Sequence, residues 1–108
     1  MLKSVNNKII MSHGDFGSVL PFTITDITLD SNEDKILFEI KKAPNSYTVL
    51  SKVYSNKLES LREIQFDLSF TKEETARLPR GSYVYYVRHI RDDELRDTLL
   101  EDKLFEVK

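Results

Sequence analysis

The chain has 108 residues, with 16 Lys and Arg against 18 Asp and Glu, two His, and neither Cys nor Trp. Without Cys there is no disulfide framework, thiol nucleophile or thiolate zinc site, and a net charge of −2 lacks the Lys and Arg excess with which proteins neutralise nucleic-acid phosphates. The length suits one domain with one core, and no apolar stretch approaches the ~20 residues of a membrane-spanning helix.

Met1 to Lys8 contain no apolar stretch of the signal-peptide kind, so synthesis and folding in the cytoplasm are expected. The dominant period along the chain is two, the mark of half-buried strands. A first strand is expected over Asn7 to Ser12, followed by a polar turn at Ser12-His13-Gly14-Asp15. In the next run Leu20, Phe22 and Ile24 share one face, while Pro21, Thr23 and Thr25 share the other. Pro21 has no N–H for a ladder, so this strand starts there or lies at an edge. After the polar cluster 30–34 comes a strand with Ile36, Phe38 and Ile40 aligned, then a turn at 43–46. Tyr47, Val49 and Val53 mark the register of the following strand. Residues 55–63 read as an irregular connection in preference to a helical turn.

Ile64, Phe66, Leu68 and Phe70 alternate without a fault against Gln65, Asp67 and Ser69. Thr71-Lys72-Glu73-Glu74 then has the form of a capping box. The helical turn it opens, near residues 72–78, is closed by Pro79, which disfavours helix at the preceding residue. Gly81 to Ile90 form the next strand, Asp92-Asp93-Glu94 its hairpin turn, and Leu95 to Val107 the return strand, with a bulge or exposed edge expected at Glu101-Asp102. About seven short strands linked by turns, in one domain spanning 1–108, predict an all-β immunoglobulin-like antiparallel sandwich.

The residues suggest little chemistry. Asp26, Asp30, Glu33, Asp34, Asp92, Asp93 and Glu94 are turn acids, and the expectation is solvated caps rather than the spaced carboxylate pair of a glycosidase or a full set of calcium ligands. His13 neighbours a Ser and an Asp, but adjacent residues on an extended chain do not converge as a triad does. His89 reads as a rim histidine bonded to backbone. Gly14 and Gly17 bound no phosphate loop, because a strand follows instead of Lys and a helix. No catalytic, metal or cofactor site is expected.

Tyr83, Tyr85 and Tyr86 interleave with Arg80, Arg88 and Arg91. Tyr and Arg are enriched in protein interfaces, and Tyr86, Arg88, Tyr54 and Arg91 are the interface candidates. A β-sandwich binding module for carbohydrate or a cell-surface ligand, built on Tyr47, Tyr54, Tyr83, Tyr85 and Tyr86, is the alternative. Leu78, Pro79, Gly81, Tyr83 and Tyr85 suggest a structural corner. In immunoglobulin domains a Tyr two residues before the second Cys bonds back to the backbone; Tyr83 fits that role, and Tyr85 stands where the Cys would be.

The order of these motifs resembles the amino-terminal immunoglobulin-like domain of phage baseplate upper proteins and related tail and tail-fibre components. The resemblance is carried by the Gly-Asp start, the Val19 to Thr25 strand, Ile36 to Lys42, the run from Ile64 through Leu78-Pro79-Arg80-Gly81-Ser82-Tyr83-Val84-Tyr85 to Val87, and the Thr98 to Val107 finish. It covers about residues 10–108 and departs where the Gly usual near the end is replaced within Asp102-Lys103-Leu104-Phe105. It implies a noncatalytic virion part, made in the bacterial cytoplasm and assembled through contacts with other tail or baseplate proteins and with itself. No nucleic acid and no membrane enter that role. In such proteins the domain anchors a longer chain, and 108 residues correspond to the anchoring domain alone.

Overall fold

A computed structural model of the chain describes residues 1–29, 34–92 and 94–108. The expected all-β sandwich is there, with eight strands among the described residues: β1 (Leu2–Val5), β2 (Lys8–Met11), β3 (Leu20–Ile24), β4 (Lys35–Lys41), β5 (Thr48–Ser55), β6 (Ile64–Leu68), β7 (Gly81–Arg91) and β8 (Glu94–Val107). A short helix, α1 (Lys72–Thr75), lies between β6 and β7. Six strands form a mixed sheet in the order β1-β2-β8-β7-β4-β5, and β3 pairs with β6 in a second sheet. The periodicity had pointed to about seven strands; β1 is the addition. It has no buried residue to create a pattern, and it is held by a hairpin whose two turn residues, Asn6 and Asn7, both take left-handed backbone (φ 52° and 66°). Two successive positive φ values are what a two-residue type I′ turn requires, and Asn tolerates them.

β2 makes the one parallel contact of the large sheet, Ile9 to Phe105 through Met11 to Val107. That contact buries Ile9 and Met11 completely. β8 has 14 residues and β7 has 11, and three register breaks along the pair take up the difference. One break sets Glu101 and Asp102 against Tyr86, which is the bulge expected from the sequence. Asp102 sits there at φ 53°.

The core lies between the sheets and is largely aromatic. Phe22 and Phe66 face each other across the β3–β6 ladder and stack at 5.2 Å. Phe38 and Tyr85 stack at 5.3 Å, and Phe22 meets Tyr85 edge-on at 6.2 Å, both preferred geometries for ring quadrupoles. Ile64, Phe66, Leu68 and Phe70 are all buried. Residues 56–63 are irregular. They are organised by Asn56, whose side-chain amide donates to the carbonyls of Ser60 and Glu63 and whose carbonyl accepts from the amides of Leu58 and Gln65.

The α1 link forms as the sequence anticipates. Thr71 Oγ1 accepts from the Glu74 amide and Glu74 Oε1 accepts from the Thr71 amide. The turn runs on to Leu78 through Arg77 N–H to Glu74 O and Leu78 N–H to Thr75 O. Leu78 is buried, and Tyr83 donates its hydroxyl to the Pro79 carbonyl at 2.6 Å. Gly81 follows at φ 153°, a backbone angle that residues with a Cβ avoid. Tyr85, fully buried, donates to the Asn7 carbonyl at the β1–β2 turn. A phenol of β7 therefore fastens the amino-terminal hairpin.

Two readings of β5 and β7 need correction. β5 turns Leu50 and Tyr54 toward the core; Tyr47 and Val53 are 67% and 57% exposed. The register seen in Tyr47, Val49 and Val53 therefore does not mark the buried face. A bulge near Ile40 and Lys41 interrupts the ladder at Val49 and breaks the alternation, and the strand's inward positions include a charge, Lys52. His89 is not a rim residue bonded to backbone: it is buried and its Nε2 lies 2.7 Å from the Asp34 carboxylate.

Candidate functional site

The four interface candidates do not share one surface. Tyr86 and Arg88 lie together on the outer face of the large sheet, because Tyr83, Tyr85 and Val87 occupy the inner one. Cross-strand registers place Ser51, Glu39 and Tyr86 in one row, and Val53, Leu37, Arg88 and Thr98 in the next. Tyr54 is on the opposite face, where its ring stacks on Phe66 at 4.9 Å. Arg91 is at the far end of β7, engaged with Asp34.

Tyr86 is at the middle of the outer face yet only 6% exposed. Lys41 Nζ and the Arg88 guanidinium lie over its ring at 5.1 and 4.8 Å, a favourable placement of cations on a π-face. Its hydroxyl donates to the Asp102 carboxylate on the β8 bulge. Donation to that anion, with burial second, pushes its pKa up to about 12. Arg88 pairs with Glu39, Nε to Oε1 at 3.4 Å, and donates to Thr98 at 3.5 Å; Glu39 also accepts from Thr48. The Arg88–Glu39 contact lacks hydrogen-bond geometry, so Arg88 Nε is a buried donor without one. The side chains most suited to recognition are thus engaged with one another across four strands.

A second polar cluster closes one end of the core. Asp34 is 2% exposed, which corrects the expectation of a solvated turn acid. Arg91 donates from Nε to Oδ1 at 2.6 Å and from Nη2 to Oδ2 at 3.3 Å, and His89 Nε2 lies 2.7 Å from Oδ2. A carboxylate this deep requires such partners, since an unpaired buried charge costs several kcal/mol. Of the other turn acids, Asp30, Glu33 and Asp93 lie outside the described residues. Among the described residues no three His, Cys, Asp or Glu are grouped as metal ligands, and no helix is long and apolar enough to cross a membrane.

Sequence reasoning missed Lys52. It sits on the inner side of β5 and donates to the Ser69 carbonyl and to Glu74 Oε1 at 2.9 Å, 5.4 Å from the Phe70 ring centre. One carboxylate thereby closes the capping box and ties β5 to the α1 link. Burial works to raise the Glu74 pKa, but the Thr71 amide and the Lys52 ammonium outweigh it and the pKa is lowered. The signal was present in Ser51-Lys52-Val53, where a charge falls on the same parity as Leu50 and Tyr54. Period alone cannot say that a carboxylate from another element will meet it. An open cleft of about 420 Å³ lies between the β3–β4 and β5–β6 connections, lined by Thr25, Asp26, Ile27, Thr28, Arg62 and Glu63. No sequence motif had pointed to it.

No family model, curated protein or solved structure matches this chain.

Proposed function

We propose that this chain is a noncatalytic structural module of a phage or prophage tail or baseplate, made in the bacterial cytoplasm and carried in the virion, where it acts through contacts between subunits. The tail assignment rests on the order of residues from the Gly-Asp start to the Phe105-Glu106-Val107 finish. The subunit-contact part is carried by one observation: Tyr86, Arg88, His89, Arg91 and Asp34 are engaged inside the chain, whereas among the described residues β5 and residues 94–104 of β8 each have a strand partner on one edge only. Open edges offer rows of backbone donors and acceptors to another protein. The partners are other tail or baseplate proteins and a second copy of this chain. Mass spectrometry of purified particles from the organism that encodes the chain tests this reading: the chain is expected at stoichiometric abundance, and its absence from particles with complete tails would overturn the proposal.

A carbohydrate-binding role is the second reading. Tyr83, Tyr85 and Tyr86 are buried and Tyr54 is stacked on the core, so Tyr47 is the one largely exposed ring of the five. Glycan-array binding that disappears on Tyr47→Ala would favour this reading over the first.

A further inference from the structure

Open strand edges invite pairing with other chains, and proteins blunt them with short length, proline, bulges or outward charge. Most edges of this sandwich carry such a device. β1 has four residues, and β3 carries Pro21. The uncovered part of β8 is bulged and bears Glu94, Arg96, Asp97, Glu101, Asp102 and Lys103. On β6, the Gln65 carbonyl is taken by the Lys57 amide, and Asp67 pairs with the Lys57 side chain.

β5 is the exception. It is eight residues long, contains no proline, and has β4 as its one partner in the sheet. Its one charged residue, Lys52, is turned inward and bonded to Ser69 and Glu74, so it cannot guard the edge. On the outer face the strand shows Ser51 and Val53, with Val53 57% exposed beside half-buried Leu37. Cations reach the strand only at its two ends: Arg77 of the α1 link donates to the Val49 carbonyl at 3.1 Å, at the bulge, and Lys35 of β4 donates to Ser55 Oγ at 2.9 Å.

We propose that β5 is a self-pairing edge: a second copy of this chain lies antiparallel along residues 51–55, with Val53 facing Val53 of the second copy. In a two-fold antiparallel pair, the axis passes through the midpoint of one facing pair, so one residue must meet its own copy. Lys52 at that point would set two ammonium groups face to face, and like charges directly opposite are destabilising. Ser51 at that point would run the second strand across the Val49 bulge and the Arg77 side chain. Centring on Val53 avoids both. It brings two exposed β-branched side chains together, sets Ser51 against Ser55, and places Lys52 opposite Tyr54. The two six-stranded sheets then join into one. The pairing deepens the subunit-contact reading above by naming the strand that makes the contact.

Five residues make a small interface, so the dimer belongs at the weak end of specific association. The absence of Cys makes single-cysteine variants unambiguous. Val53→Cys is expected to convert to a covalent dimer on mild oxidation or with a short bis-maleimide, whereas Thr48→Cys, beyond the bulge, stays monomeric. By sedimentation equilibrium the unmodified chain should dimerise below about 1 mM, and Val53→Lys should weaken the dimer about tenfold with no change in thermal midpoint. A chain that remains monomeric to that concentration, a dimer that survives Val53→Lys, or Thr48→Cys linking as well as Val53→Cys would each overturn the pairing. None of these results bears on whether the chain is found in purified particles, so the pairing and the tail reading fail separately.

Discussion

Tyr85 and Tyr86 are adjacent in sequence, both buried, and both have a pKa pushed up to about 12. The causes differ. Tyr85 points between the sheets among Phe22 and Phe38, and burial of the phenol is what raises it. Tyr86 points the other way, onto the outer face of the large sheet, and the Asp102 carboxylate does most of the raising. One side of β7 achieves burial by aromatic packing. The other achieves it by folding Lys41, Arg88 and Asp102 around a ring. A polar face can therefore be closed from within its own chain, and residue types typical of interfaces need not mark one.

The largest separation of the two sides should come from truncation. Tyr85→Ala removes a ring that touches both sheets and should cost about 3–5 kcal/mol, the range for aromatic truncations in a core. Tyr86→Ala should cost clearly less, because the flexible Lys41 and Arg88 side chains can settle into the gap and water can follow. Equal losses in urea titrations would contradict the distinction.

Removing only the hydroxyls is a finer test. Tyr85→Phe leaves the Asn7 carbonyl, at the exposed β1–β2 turn, without its phenol donor and should cost about 0.5–1.5 kcal/mol. The β1–β2 turn should show it first, as faster hydrogen exchange at residues 2–11. Tyr86→Phe frees an Asp102 carboxylate that water can reach, and its cost should stay near 1 kcal/mol or below.

Alkaline titration follows. Both folded pKa values lie above the ordinary 10.0, so each neutral phenol stabilises the fold fully below pH 10. The contribution is lost as pH rises through about 12. Unfolding midpoints should therefore be flat up to pH 10 and fall above it. The smallest and most selective effect is that of Asp102→Asn. It removes the main cause acting on Tyr86, so Tyr86 should titrate closer to 10 while Tyr85 stays at about 12. Ring-carbon chemical shifts would resolve the two, and movement of both together would mean that they share one environment.

The fold was legible where side-chain parity and burial coincide. Ile64 to Phe70 alternate cleanly because β6 has core on one face and solvent on the other. Thr71 with Glu74 announced a helix start because both bonds of a capping box are local. The bulge was visible at Glu101-Asp102 because two acids in a row break a period of two. β1 left no pattern, since none of its residues is buried. Of the interface candidates, only Tyr86 and Arg88 share a face. Tyr54 belongs to the core because β5 crosses Phe66 of the other sheet, a contact between residues 12 positions apart.

The sequence by itself determined what depends on neighbours along the chain: an all-β sandwich, the positions of most strands, the capped turn, and the corner in which Tyr83 reaches back to Pro79. Tertiary structure decided what depends on groups far apart. It sent Lys52 inward, because Glu74 and Ser69 meet it there. It buried Asp34, because Arg91 and His89 arrive from β7. It also left β5 uncharged along its open edge. Alternation records which residues share a face; the desolvation cost of a charge depends on partners that only the folded chain brings within about 3 Å.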